Sequence, residues 1–174
     1  MVRTSPLSLG PFGGKRVSFA FIGDTLWDIQ KPVVPLEVLV NSEQNRFSLL
    51  NTGDVPINFG LSIDQRSESY WQPTESYDRI GEDKFILSAV FTRYSEKPPL
   101  EMEFNTENWE DVLTIYPKFA GGTQFGIGKQ SAGEQVQPGE TVSLWFKFMA
   151  PASSGGEAAN NLQSIRVRIF AAGS

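Results

Sequence analysis

The sequence predicts an all-β fold, two antiparallel sheets packed face to face as a sandwich, and three observations carry that reading. Apolar residues recur at every second position in several short segments, Gly and Pro (16 and 11 of 174 residues) cluster between those segments, and helical spacing is scarce. Side chains alternate across a strand, so each such segment is apolar towards one layer and wet on the other. Two sheets built this way bury their apolar faces against each other. A chain of 174 residues fits one domain, or one domain with a long arm.

Residues 1–14 hold three Gly, two Pro and little alternation, so they read as an extended N-terminal arm, with the domain spanning 15–174. Lys15 and Arg16 open the first apolar strand, residues 17–22, which carries Val17, Phe19 and Phe21. Strands are expected next at 34–40 and 46–50. The clearest alternation follows, with Ile57, Phe59, Leu61 and Ile63 on one face and Asn58, Gly60, Ser62 and Asp64 on the other. Between the last two segments, Asn51-Thr52-Gly53-Asp54 suits a tight hairpin with a positive-φ glycine. Further strands are expected at 84–92 and 113–118. Residues 106–113 alone show helical spacing, through Trp109, Val112, Leu113 and then Tyr116, and fit an irregular edge segment equally well.

Gln137-Pro138-Gly139-Glu140 has the order of a type II turn. It precedes a strand with Val142, Leu144, Phe146 and Phe148 on one face and Ser143, Trp145 and Lys147 on the other. A small polar loop through residues 153–161 leads to the last strand, with Ile165, Val167 and Ile169 inward and Arg166 and Arg168 outward. The connection, immunoglobulin-like or jelly-roll, stays open at this point.

Absences bound the function. The chain has no Cys, hence no disulfide, thiolate metal site or thiol nucleophile, and no His, hence no imidazole base, Ser–His–Asp triad or His-based metal site. A net charge of −5 argues against nucleic acid as a partner, because that affinity comes largely from neutralising phosphates. No run approaches the roughly 18 apolar residues of a membrane helix, and the first residues lack an apolar stretch of signal-peptide length. The expectation is therefore either a protein that is not exported or a mature form without its leader.

Residues 50–59, Leu-Asn-Thr-Gly-Asp-Val-Pro-Ile-Asn-Phe, resemble the asparagine–any–glycine–asparagine/aspartate hairpin of bacterial cell-surface immunoglobulin-like modules. Residues 81–91, the Pro138-Gly139-Glu140 turn with Leu144-Trp145-Phe146, and Ala150-Pro151 are similar to secreted bacterial β-sandwich proteins of uncharacterised function. The resemblance covers residues 35–172. It implies an extracellular or cell-surface location and assembly, and it supplies no catalytic residues.

Candidate sites follow from residue chemistry. Asp78, Glu82 and Asp83 surround the bend at Gly81, an oxygen-rich loop of the kind Ca2+ takes, or else an ordinary acidic turn. Glu101, Glu103, Glu107, Glu110 and Asp111 surround Trp109, but no second carboxylate group stands opposite them, so glycoside hydrolysis is not supported and an enzyme is not expected. Trp71 and Trp109 lie in polar surroundings and suggest caps on the core, anchors of a protein interface, or a stacking platform for polysaccharide. Trp145 faces away from the apolar row of its strand, so a loop, an arm or another subunit must cover it. With Val17, Phe19, Phe21, Arg166 and Arg168 it marks an expected interface between copies. The leading expectation is a non-enzymatic subunit that self-assembles into an extracellular or cell-surface filament or lattice by exchanging its N-terminal strand. A carbohydrate-binding module and a virion coat or tail subunit are the alternatives.

Overall fold

The computed structural model describes residues 14–29, 31–64, 69–104 and 109–174. Of the expected arm only Gly14 is among the described residues. The fold is all-β with two sheets. In chain order the strands are β1 (Phe19–Ile22), β2 (Val38–Val40), β3 (Phe47–Asn51), β4 (Ile57–Ile63), β5 (Gln72–Pro73), β6 (Lys84–Arg93), β7 (Lys118–Phe119), β8 (Thr141–Met149) and β9 (Val167–Gly173). The larger sheet has the order β1-β3-β8-β6-β5, with β2 also on β8, and the smaller has the order β7-β4-β9. Every pairing between these strands is antiparallel except β5 with β6.

β8 is the axis of the larger sheet. β6 follows one edge of it from Ile86 opposite Met149 to Arg93 opposite Val142. The other edge is shared end to end, residues 38–40 of β2 opposite 149–147 and residues 47–50 of β3 opposite 144–141. Between β2 and β3 the chain leaves that edge in a single helical turn at Glu43–Asn45. Asn41 closes the resulting gap. Its backbone N–H donates to Phe146 O at 3.1 Å, its side-chain oxygen accepts the Phe146 N–H at 2.7 Å, and its amide N–H donates to Asn45 O at 2.9 Å. A buried backbone group without such a partner would cost about 1–3 kcal/mol.

The alternation resolves as expected in the centre of the fold. Ile57, Phe59, Leu61 and Ile63 of β4 share one core with Phe85, Leu87, Ala89 and Phe91 of β6 and Val142, Leu144, Phe146 and Phe148 of β8. Phe59 and Phe91 stack across it at 5.7 Å. Gln137–Glu140 forms the expected turn, with Gly139 at φ +79° and Glu140 N–H on Gln137 O at 2.9 Å.

Asn51-Thr52-Gly53-Asp54 does not make a hairpin. β3 and β4 belong to different sheets, so the turn is a corner that carries the chain from one layer to the other. Asn51, buried, holds the corner: its side-chain oxygen accepts Gly53 N–H at 2.8 Å, and its amide donates to Val55 O and Val136 O at 2.8 and 2.9 Å. Gly53 is required there by close approach, since a Cβ would sit 2.4 Å from Arg16 O.

Other expected elements are shorter. The segment expected at 34–40 is a strand only at Val38–Val40, because Leu36 takes φ +59° in a turn. Strand expected at 113–118 is confined to Lys118–Phe119. Residues 106–108 of the helical candidate lie outside the described residues, and 109–113 are irregular, with Val112 bridged to Ser88 on the side of β6 away from β8.

Replacing Asn51 by Leu should leave the Gly53 N–H and the Val55 carbonyl without buried partners and lower stability by about 2–4 kcal/mol, read as a fall in Tm of roughly 5–15 °C. Asn45→Ala, whose side chain reaches only Ser42 at 3.4 Å, should stay within about 0.5 kcal/mol in the same melt.

Candidate functional site

The outer face of β8 is covered by the chain itself, so Trp145 is not an interface residue. It is fully buried in a small second core with Val90 and Phe104, with Val40 and Ile127 packed alongside, and its indole N–H donates to Thr92 Oγ1 at 2.9 Å. Lys147 lies on the same face. Its ammonium donates to Glu101 O at 3.3 Å and lies 5.4 Å from the centre of the Phe104 ring. Burial pushes its pKa down, against the pull of Glu101 and Asp111. Lys118 repeats the pattern at the rim of the smaller sheet, with Nζ on Trp109 O at 3.1 Å and Val112 O at 3.0 Å, and with burial again lowering its pKa against Glu75 and Asp111. Asp111 is fully buried and acts on both lysines.

Among the described residues, the acidic side chains around Trp109 take separate partners. Glu101 and Glu103 sit on a single helical turn, Glu101–Glu103. There Glu103 accepts Leu100 N–H, while Glu110 accepts the Thr123 hydroxyl at 2.8 Å. Glu107 lies outside the described residues.

The expected calcium loop does not converge either. Among the described residues no group of three or more acidic side chains is placed to hold a metal ion. Asp83 takes φ +55° and accepts Gly155 N–H at 3.2 Å, and the Glu82 carboxylate lies so close to Gly155 that a Cβ there would be 2.1 Å from it. Asp78 is on the separate helical turn Tyr77–Arg79. The carboxylates of Glu82 and Asp83 are thus turned to the 153–156 loop.

Val17, Phe19 and Phe21 pack on the core from the margin of the larger sheet. β1 pairs with β3 of its own chain, Phe19 opposite Asn51 and Phe21 opposite Leu49, and Phe19 meets Phe59 edge-on at 5.4 Å. β9 forms the corresponding margin of the smaller sheet, with Val167, Ile169 and Ala171 facing inward opposite Ile63, Leu61 and Phe59. The margins meet at one end, where a Cβ on Gly173 would be 3.1 Å from Val17. Inward residues of β3, β4, β6 and β8 are buried, whereas those of β1 and β9 are only half-buried. Arg168 pairs with Asp64 at 2.7 Å on the outer face of β9, and Arg166 is half-buried beside it.

Trp71 and Trp109 are not a pair. Trp109 tilts over Tyr77 at 6.2 Å. Trp71 stacks on Phe148 at 5.9 Å with its indole N–H on Ser154 Oγ at 2.9 Å, and it lines a groove of about 400 Å³ with Asp64, Ser69, Glu75, Thr114 and Tyr116. Sequence reasoning passed over Tyr116 as a groove residue and kept it only as a member of the helical pattern. Its exposure of 69% follows from an irregular segment with no periodicity to read.

Because the folded-state pKa of Lys147 is lowered, the unfolded chain holds more protons in the range below 10.5, and stability rises with pH through that range. Urea unfolding should show the wild type gaining on Lys147→Met as pH rises from neutral towards 10.5; a constant difference would contradict the assignment.

No protein-family model, curated protein or solved structure matches the chain.

Proposed function

We propose that the chain is a non-enzymatic structural subunit that assembles with copies of itself by adding a strand at the margin formed by β1 and β9. One observation carries the reading. The core is fully covered at its centre and only half covered along these two terminal strands, each of which, among the described residues, has one edge outside any ladder. An open edge beside incompletely buried apolar side chains is the template for strand addition, in which main-chain bonds supply affinity and alternate side chains fill the gap.

Ile22 at the end of β1, and Leu26, Val34 and Leu36 in the segment after it, are exposed apolar residues. In this reading the two sheets form a sandwich of immunoglobulin-like or jelly-roll type, and the arm at residues 1–14 is the strand that is exchanged. Head-to-tail exchange of that kind does not close and builds fibres. The setting we assign is an extracellular or cell-surface filament or lattice, on the resemblance of residues 35–172 to secreted β-sandwich proteins. A sequence without His or Cys suits a structural role better than a chemical one.

Sedimentation and negative-stain electron microscopy of the full chain test the proposal. Fibres or sheets are expected, and a chain beginning at Lys15 should remain folded, melt at the same temperature and sediment as a monomer. A full chain that stays monomeric at every concentration, or assembly that survives the truncation, overturns the strand-exchange reading. Closed rings or shells would point instead to a virion coat or tail subunit.

A further inference from the structure

The groove beside Trp71 has no part in strand exchange, and its lining has a chemistry of its own. The indole is held by the Phe148 ring stacked on it and by Ser154 at its N–H, so this lining residue loses little side-chain freedom on binding. Its backbone N–H is held by Ser69 Oγ at 3.1 Å, which anchors the approach to β5. Tyr116, also in the lining, is 69% exposed, its backbone tied to the Thr114 hydroxyl by two hydrogen bonds of 3.0 Å. The charged groups of the lining are all carboxylates, Asp64 and Glu75. Asp64 is steadied by Arg168 at 2.7 Å, outside the lining, while Glu75 is exposed.

We propose that this groove binds a polysaccharide of neutral sugars, with a pyranose ring stacked on Trp71, Tyr116 against the neighbouring unit, and sugar hydroxyls donating to Asp64 and Glu75. Sugar rings present an apolar C–H face and a rim of hydroxyl donors, so they need an aromatic face and acceptors together, which the lining supplies. Carboxylates in the lining repel uronate and sulfated sugars. No residue of β1 or β9 lines the groove, so the two proposals are tested by different variants.

Affinity electrophoresis of the full chain in gels containing laminarin, hydroxyethyl cellulose, galactomannan or alginate tests it. Retardation is expected in at least one neutral gel and not in alginate. Tyr116→Ala should weaken that retardation about tenfold, the loss of roughly one stacking contact, with no change in melting temperature or in assembly. Trp71→Ala should abolish it, and Trp71→Phe, which retains a ring against Phe148, keeps the test valid where the alanine variant unfolds. Glu75→Gln should weaken binding less than Tyr116→Ala. No retardation in any neutral gel overturns the proposal. So does retardation unchanged by Tyr116→Ala and Trp71→Phe, or binding confined to a polylysine peptide, which would mark the groove as a site for a basic chain.

Discussion

Complete hydrogen bonding of β8 is the constraint on which the rest of the structure depends. Residues 142–148 of this strand are buried on both faces, so water satisfies none of their backbone groups, and every N–H and C=O must find a partner in the chain. β6 satisfies one edge without interruption. The other edge needs two short strands, because the chain turns away between them, and Asn41 stands in for the missing residue with a side chain that imitates a backbone group. Asn51 does the same service one strand later, joining β3, β4 and the approach to β8 through Val136. Two buried amides thus allow a broken edge and an inter-sheet corner inside a packed core.

Covering the outer face of β8 has its own cost. Trp145 and Val90 fill it well, yet Lys147 has to bring an ammonium under the same cover. The structure meets that cost by combining a backbone carbonyl, the Phe104 ring and the charge of Asp111, which also serves Lys118. These contacts bring the 101–104 turn over β8, with residues 111–113 alongside β6, and leave β1 and β9 as the places where cover is thin.

What the sequence reveals follows the periodicity. β4 and β8 alternate over seven or more residues and their inward faces are readable position by position, as are Val167 and Ile169 of β9, whereas β6 is apolar on both faces and only its extent is legible. The β3–β4 connection was not, because an Asn-x-Gly turn has the same local chemistry whether the flanking strands pair or part, and sheet membership is a non-local matter. Periodicity alone places Trp145 on the outer face of β8. Its cover comes from Phe104, in a stretch without periodicity, so nothing local distinguished a loop of the same chain from a second subunit. The same reason hid the groove: Trp71 is visible as a polar-flanked aromatic, whereas Tyr116 joins it only through the path of an irregular segment. The acidic residues at 78–83 mark a turn legibly, but the direction of their carboxylates depends on the 153–156 loop.

The position of β8 in the chain has a consequence for biosynthesis. Val38 pairs with Met149 and Phe47 with Leu144, so β2 and β3 lack their central partner until residues 141–149 have been made, and of the first three strands only β1 and β3 can pair before then. β6 waits for the same partner. A topology dominated by such distant pairings folds slowly, since the loops must close before any contact rewards them. During that interval the apolar rows of β1, β3, β4 and β6 are exposed together on one nascent chain. β8 is therefore the late strand of the larger sheet: β2, β3 and β6 wait for it and are taken up together when it arrives.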